Sequence, residues 1–183
     1  AIIVEKENIN TLTMNGEMLL TILSSLAQQE SESLSLNTKM GLKMKMKRGE
    51  MVGQASCLGY DYDKEEKKLL INEEEAQIVK YIFNRYTSGI GCFVIARELT
   101  EKGYKTKKGN TTWSDSSVRG IVKNEKYVGD VLMGKTFTLD PISKRRLENF
   151  GEEEKYYVRD NHEAIISRDQ FNKAKEILEK RSR

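Results

Sequence analysis

The chain has 183 residues, of which 38% are hydrophobic and 32% charged, and its formal net charge is +3 at pH 7. That length allows one ordinary domain with an appendage or two small domains, and a single proline argues against a proline-rich linker. No apolar run approaches the roughly 20 residues of a transmembrane helix, and no signal-peptide pattern opens the sequence, so we expect no membrane partner.

The first predicted elements are a short strand and one long helix. Residues 2–4 are apolar and predict the strand, while residues 16–48 contain no proline and carry apolar side chains at helical spacing. At about 1.5 Å per residue this helix would span roughly 50 Å, so it should protrude from a small core. An exposed apolar stripe needs a partner, either another domain or a second subunit. The interface candidates are Met14, Met18, Ile22 and Leu26.

Basic side chains are concentrated in two segments of the chain. Residues 39–48, at the end of the long helix, contain five basic and no acidic side chains. Residues 102–108 contain four lysines and no acidic residue. Separate basic clusters are typical of proteins that bind the phosphate backbone of nucleic acids. Solvated lysine faces that bind nothing give the same pattern, so charge alone leaves both interpretations open.

The pattern changes after the long helix. Gly49 and Gly53 interrupt the helical spacing, and we expect a linker over residues 49–57. Residues 58–62 and 67–72 then flank a short polar segment, which predicts a β-hairpin.

Two further helices are predicted after this hairpin. Asn72 and Glu75 match a capping box, and apolar residues at helical spacing follow over residues 73–87. A second helix at about residues 91–102 is followed by Gly103, a residue type that commonly terminates helices.

A basic segment precedes a third short helix. Residues 104–113 form a glycine-containing loop or wing with three lysines, and Ser114 can cap a helix over residues 115–123. Three short helices in this order are typical of a helix-turn-helix arrangement, whose last helix presents polar side chains to a DNA groove. Small helical bundles that bind nothing are also common, so this pattern alone leaves DNA binding open.

The last part of the chain predicts two strands and a helix. The strands are expected at residues 130–138 and 156–159, separated by a charged insertion. Ser167 and Gln170 match a second capping box before a helix over residues 168–182. The elements together predict an α+β fold with a long protruding N-terminal helix, a helix-turn-helix-like helical core and a small antiparallel β-sheet.

No reactive group of residues is recognisable in the sequence. His162 is the only histidine, and a single histidine in a turn more often forms a structural hydrogen bond than acts as a base. Cys57 and Cys92 lack metal-binding spacing, and a zinc site needs four protein ligands or three and a water. We therefore expect no catalytic residue, no metal and no cofactor. Two unmatched thiols are typical of the reducing cytoplasm, where we expect the protein to be.

The order of several short motifs resembles the large serine recombinases. Residues 22–33 (ILSSLAQQESES) and 37–41 (NTKMG) are similar to the long helix that closes the catalytic domain of that family. The motifs LGY at 58–60, NEKYVGD at 124–130 and NHE at 161–163 are similar to its recombinase domain. Each motif is a weak signal alone, but together their order and spacing cover essentially the whole chain.

This resemblance implies a domain organisation. Residues 58–183 are expected to be the DNA-binding recombinase domain, and residues 1–48 the C-terminal remnant of a catalytic domain. Members of the family attack DNA with a serine near the N-terminus and form a 5′-phosphoserine link. That region is expected to precede Ala1, so this chain alone should be catalytically inactive. The resemblance also implies self-association through the long helix, as a dimer or tetramer of the full-length protein.

We therefore expect the chain to recognise a double-stranded DNA half-site through three zones. The end of the long helix and the linker should enter the minor groove, where basic side chains and a close glycine backbone are favoured. The basic loop should bind phosphates, and the third helix should face the major groove, with Arg119 contacting a base. The DNA-binding candidates are Lys43, Lys47, Arg48, Gly49, Lys105, Lys107, Lys108, Thr112, Ser114, Ser116, Ser117, Arg119 and Lys123.

Two other functions remain open from the sequence. A helix-turn-helix transcriptional regulator with no recombinase parent would share the basic loop and the short helices. A protein-interaction module could use the long helix as a coiled coil, but the polar residues 28–33 interrupt the apolar seam that heptads require.

Overall fold

The computed structural model describes residues 3–4, 9–10, 14–52, 57–139 and 145–181. In these ranges the α-helices are α1 (Met14–Lys47), α2 (Glu73–Thr87), α3 (Cys92–Glu101), α4 (Asp115–Lys123) and α5 (Arg168–Arg181). The strands are β1 (Ile3–Val4), β2 (Ile9–Asn10), β3 (Tyr60–Asp63), β4 (Lys68–Ile71), β5 (Val131–Met133), β6 (Thr136–Thr138), β7 (Arg146–Glu148) and β8 (Tyr156–Val158). A 3₁₀ turn follows α4 at Glu125–Val128.

The strands form antiparallel pairs, which confirms the predicted α+β class. The pairs are β1–β2, β3–β4, β5–β8 and β6–β7, so the small sheet is divided into two-stranded pieces. The strand predicted over residues 130–138 is two strands, because Gly134 between them has φ +78°. Gly134 has no room for a side chain, since an added Cβ would lie 2.8 Å from the Glu154 carbonyl oxygen.

The chain divides into two compact units. The first contains the described residues within 1–45 and 135–153, and the second those within 46–134 and 154–183. The predicted linker at 49–57 falls partly outside the described residues, since 53–56 are among those not described. No helix in the described ranges combines the length and the apolar character needed to cross a membrane.

In the first unit, a hairpin is joined by ion pairs to the last part of the long helix. Strands β6 and β7 pair from Thr136 opposite Glu148 to Thr138 opposite Arg146. The carboxylate of Glu153 accepts hydrogen bonds from Lys39 and Lys43, and the distance to the Lys43 ammonium is 2.6 Å.

In the second unit, helices α2 to α5 surround an apolar core. Each helix contributes residues at helical spacing, and β3–β4 adds an aromatic residue from its first strand. The fully buried members are Tyr60, Ala76, Val79, Ile82, Phe83, Ile95, Leu99, Val118 and Ala174. The strongly apolar spacing of α2, α3 and α4 therefore fixes which face of each helix lies inward.

The predicted helix caps are half confirmed. The side chains of Asn72 and Ser167 accept hydrogen bonds from the backbone N–H groups of Glu75 and Gln170, at 3.2 and 3.3 Å. The reciprocal half of each capping box is wrong. Glu75 instead accepts from the Gly59 backbone N–H at 2.8 Å, and the Gln170 amide donates to Asn84 at 2.7 Å. Both side chains thus join elements distant in sequence.

A buried carboxylate joins β5, β8 and α5. Asp130 is 0% exposed and accepts two hydrogen bonds from the Arg168 guanidinium, at 2.7 and 3.0 Å. It also accepts from the Tyr157 hydroxyl and from the Asp160 backbone N–H. The Arg168 guanidinium is the main reason that the pKa of Asp130 falls to about 2.

We expect Asp130→Asn to lower the free energy of unfolding by about 2 kcal/mol at pH 7. The loss should be smaller than for a fully buried pair, since Arg168 remains partly exposed to water. Because the pKa of Asp130 is lower in the folded state, its contribution is present above the ordinary value of 3.8 and is lost as the pH falls through about 2. Urea denaturation at several pH values measures both effects. Asp160→Asn is the control, since Asp160 also pairs with Arg168 at 3.0 Å but its side chain is 82% exposed, so that pair should contribute little.

Candidate nucleic-acid interface

Helix α4 is anchored by its apolar side and exposes its polar side. Val118 and Val122 are buried in the core of the second unit. At the helix start, the Ser114 hydroxyl accepts a hydrogen bond from the Ser117 backbone N–H at 3.2 Å and lies 2.9 and 2.8 Å from the Ser116 and Ser117 hydroxyls. The predicted cap is therefore confirmed, and the first turn carries a cluster of exposed hydroxyls.

The exposed side of α4 is formed by residues one and two turns apart. Ser116, Gly120 and Lys123 follow the i, i+4, i+7 spacing of one helix face, and all are exposed. Arg119 lies at the edge of this face, with its side chain 55% exposed and 3.4 Å from the Asp115 carboxylate. We refer to Ser116, Arg119, Gly120 and Lys123 as the α4 face.

Gly120 is the member of the α4 face that the sequence analysis missed. A Cβ added there would have no neighbour within 4 Å, so nothing within the described structure requires a glycine. A glycine inside a helix costs about 1 kcal/mol relative to alanine. An unexplained glycine in a helix interior was therefore the signal available from the sequence, because a residue without a side chain permits close approach of a ligand.

The basic loop before α4 is fixed at its base. Trp113 is buried, its indole N–H donates to the Tyr104 carbonyl at 2.9 Å, and its backbone N–H donates to the Thr100 hydroxyl at 3.0 Å. The loop lysines Lys105 and Lys108 are exposed, as is Thr112.

The tip of this loop is a short turn closed by backbone hydrogen bonds. Thr106 donates to the Asn110 carbonyl and Gly109 to the Thr106 carbonyl, both at 2.8 Å. Gly109 has φ +82°. Lys107 and Lys108 lie between them, and their environments differ. The Lys107 ammonium lies 2.6 Å from the Asp61 carboxylate and 2.8 Å from that of Glu75. Among the described residues, Lys108 has no such ion pair.

Helix α1 ends at a glycine, whose backbone also accepts a hydrogen bond from Asn161. Gly49 has φ +76°, and its N–H donates to the Met46 carbonyl at 3.0 Å, as is typical of a helix C-terminus. Its own carbonyl accepts from the Asn161 amide at 3.5 Å. Lys47 and Arg48 are exposed at this end, and the Arg48 guanidinium donates to the Glu50 carboxylate at 2.8 Å.

The apolar stripe of α1 is exposed in the described structure. Met18 has 66% of its surface exposed, and Ile22 and Leu26 are also exposed. Met14 lies within α1, but its side chain is not among those described. These residues recur at four-residue spacing and therefore lie along one side of the helix.

Cys57, Cys92 and His162 are each partly buried. Burial raises the pKa of the Cys57 and Cys92 thiols, which makes them poor nucleophiles. His162 lies 2.7 Å from the Lys126 carbonyl through Nε2 and packs edge-on against Tyr60, and burial lowers its pKa. Within the described ranges, no group of three His, Cys, Asp or Glu side chains could hold a metal ion.

Comparison with known proteins gives consistent matches along the chain. The family model described as Recombinase matches residues 73–181, and the model described as Resolvase, N terminal domain, matches residues 1–51. A putative DNA recombinase of Bacillus subtilis (strain 168) is 31% identical over 192 aligned residues, which cover 94% of this chain and 38% of that protein.

Two solved structures share the fold. One is titled Crystal Structure of a LSR-DNA Complex and has a TM-score of 0.55. The match covers 78% of this chain and 40% of the chain in that structure. The other is titled Sequence Requirements of the Listeria innocua prophage attP site and has a TM-score of 0.54. The match covers 78% of this chain and 51% of the chain in that structure. Each is 23% identical to this chain. The chain thus spans about two fifths to one half of these relatives.

Proposed function

Because the chain belongs to the Recombinase family of large serine recombinases, we propose that it binds double-stranded DNA and recognises an attachment half-site for a site-specific recombinase. The observation that carries this proposal is the α4 face, an exposed polar helix surface that follows directly on a basic loop. A helix presented in this way fits the major groove of B-DNA, while lysines beside it neutralise phosphates. Integration or excision of mobile DNA is the reaction that this binding would serve.

Each of the three zones has a distinct role in the proposal. The α4 face, with Ser114 and Ser117 at its start, reads base edges, and Arg119 is the side chain best suited to a guanine. Lys123, at the end of the same face, contacts a phosphate. Lys105, Lys108 and Thr112 contact phosphates beside it. Lys47, Arg48 and Gly49 follow the backbone into the minor groove. Lys43 is a poorly suited candidate, because its ammonium contacts Glu153.

The apolar stripe of α1 supports a second part of the proposal. Met18, Ile22 and Leu26 are exposed, and a continuous apolar stripe in water favours association. We assign this stripe to packing against a catalytic domain or a second subunit of the full-length recombinase. We expect no catalytic role for the serines of α1, since Ser24, Ser25 and the serines that follow lie along the helix with no histidine or lysine in α1 positioned to activate them.

The alternatives are less well supported. A transcriptional regulator would account for the short helices but not for a match to a resolvase N-terminal domain over residues 1–51. A coiled-coil module would account for α1 alone. Neither explains why the motif order of the whole chain follows one recombinase family.

We expect Gly120→Ala to change stability and DNA binding in opposite directions. Stability should rise by up to about 1 kcal/mol, because alanine favours the helix and its methyl group meets no neighbour within 4 Å. Affinity for DNA should fall by roughly tenfold, equivalent to about 1.4 kcal/mol, because the methyl group would enter the DNA contact. Urea denaturation and fluorescence anisotropy with a target duplex measure the two changes.

Gly41→Ala is the matched control. Gly41 is also an exposed glycine within a helix and also has no neighbour within 4 Å, but it lies in α1, outside the α4 face. This variant should gain stability without losing affinity. Undiminished DNA binding by Gly120→Ala would remove α4 from the proposed interface.

A further inference from the structure

Lys107 differs from the other loop lysines because its ammonium group is bound by another part of the second unit. It lies 2.6 Å from Asp61 on β3 and 2.8 Å from Glu75 in the first turn of α2. These partners are 46 and 32 residues away in the sequence. The contact therefore connects the loop tip to the β3–β4 hairpin and to the start of α2.

The two carboxylates are themselves held in place. Glu75 accepts a hydrogen bond from the Gly59 backbone N–H at 2.8 Å through the same oxygen that contacts Lys107. The second oxygen of Asp61 accepts from the Asn72 amide at 2.8 Å. Asn72 also caps α2, so the anchor is part of the helix start. The loop tip is thus fixed to a rigid element.

The local charge also makes Lys107 an unsuitable phosphate ligand. One ammonium faces two carboxylates, so the cluster of Lys107, Asp61 and Glu75 carries a net negative charge and repels a phosphate. Lys108, the next residue in the same turn, is exposed and lies between Thr106 and Gly109, whose backbone hydrogen bond closes the turn. Fixing Lys107 therefore fixes the backbone from which Lys108 extends.

We propose that Lys107 is a positioning residue that ties the loop tip to Asp61 and Glu75, so that Lys108 is held ready for a DNA phosphate. This inference rests on the proposed function of the chain. It replaces the expectation that Lys107 itself binds phosphate. A loop that is already ordered before binding loses less conformational entropy when it binds. Its affinity therefore rises without an added contact to the ligand.

The proposal is tested by whether removing the Asp61 carboxylate raises or lowers the affinity for DNA. Removing a carboxylate from a DNA-binding surface ordinarily tightens binding, because repulsion with the phosphates is relieved. Asp61→Asn should instead weaken binding by about two- to fivefold, the range of an exposed ion pair, because the loop tip is released. The probe is a fluorescein-labelled mixed-sequence duplex of roughly 30 base pairs, about three helical turns. Glu65→Gln removes a carboxylate from the same hairpin and should leave affinity unchanged or raise it.

A double-mutant cycle and a hydrogen-exchange measurement distinguish loss of the contact between Lys107 and Asp61 from a general loss of structure. Lys107→Met should weaken binding as Asp61→Asn does. When Lys107 is already methionine, Asp61→Asn should weaken binding no further and should restore part of the affinity, because repulsion with the phosphates is relieved. Lys107→Arg, which keeps the charge, should retain affinity. Without DNA, Asp61→Asn should speed hydrogen exchange of the Gly109 amide, which donates to the Thr106 carbonyl, while amides of α2 keep their protection.

The outcomes distinguish the two levels of the proposal. Tighter binding by Asp61→Asn would show that the carboxylate merely competes with phosphate for Lys107, and would overturn the positioning role alone. Unchanged exchange at Gly109 would overturn it as well. Absence of duplex binding by the unmodified chain would overturn the proposed function, and the positioning role with it.

Discussion

The affinity of the chain for duplex DNA should fall by about two to three orders of magnitude between roughly 50 and 200 mM salt. Five exposed basic side chains are assigned to phosphates: Lys47, Arg48, Lys105, Lys108 and Lys123. Each releases condensed counterions on binding and contributes about −0.9 to the slope of log K against log salt, so the slope should be about −4 to −5. Fluorescence anisotropy over a salt series measures it.

Single variants test which lysines contribute to this slope. Lys108→Met should make the slope less steep by about 1, because one phosphate contact is lost. Lys175→Met is the control, since Lys175 is exposed on α5 and outside the three zones. A slope near zero for the unmodified chain would contradict phosphate binding altogether. Equal effects of the two variants would show that the slope reports net charge and not the proposed contacts.

The helices could be predicted because their signals are local. Helix α2 has the predicted limits, Glu73–Thr87, and α4 the predicted limits, Asp115–Lys123. Asn72 and Ser114 cap them as expected. A cap and an apolar repeat lie within one or two turns of the residues that they organise, so neither depends on the rest of the fold.

The small strands were harder to predict because their partners are distant. Strand β7 has three residues, too few to establish an alternating pattern, and it was missed. Strands β5 and β6 were merged into one, although they pair with β8 and β7 respectively. Gly134 lies at the point of division, and the close approach of the Glu154 carbonyl, 2.8 Å from an added Cβ, is a long-range contact that the local pattern does not reveal.

The same limit applies to the candidate site. Lys107 and Lys108 are adjacent lysines in a basic loop, and composition gives no reason to separate them. What separates them is Asp61, 46 residues away, which reaches one ammonium group. Likewise, Glu75 is a plausible capping-box residue by spacing, yet its oxygen binds the Gly59 backbone and Lys107. Long-range contacts decide between residues that the sequence presents as equivalent.

The second large effect is expected at Arg119. We predict that Arg119→Ala reduces discrimination at one base pair of the target by about 1–3 kcal/mol, because a bidentate arginine contact to guanine is lost. Breaking the ion pair between Arg119 and Asp115 on DNA binding should require little free energy. Their 3.4 Å contact is exposed to water, and such pairs contribute about 0–1 kcal/mol. Competition between duplexes that differ at single positions measures the change.

Arg97 provides a matched control for this experiment. It is an exposed arginine on α3 that pairs with Glu101 one turn away at 3.6 Å, much as Arg119 pairs with Asp115 on α4. Arg97→Ala removes the same charge from the same unit and should leave base discrimination intact. Lys108→Met should weaken binding to all duplexes alike, because a phosphate contact carries no base identity. If Arg119→Ala also weakens all duplexes alike, Arg119 contacts the backbone, and base recognition belongs to another residue of the α4 face.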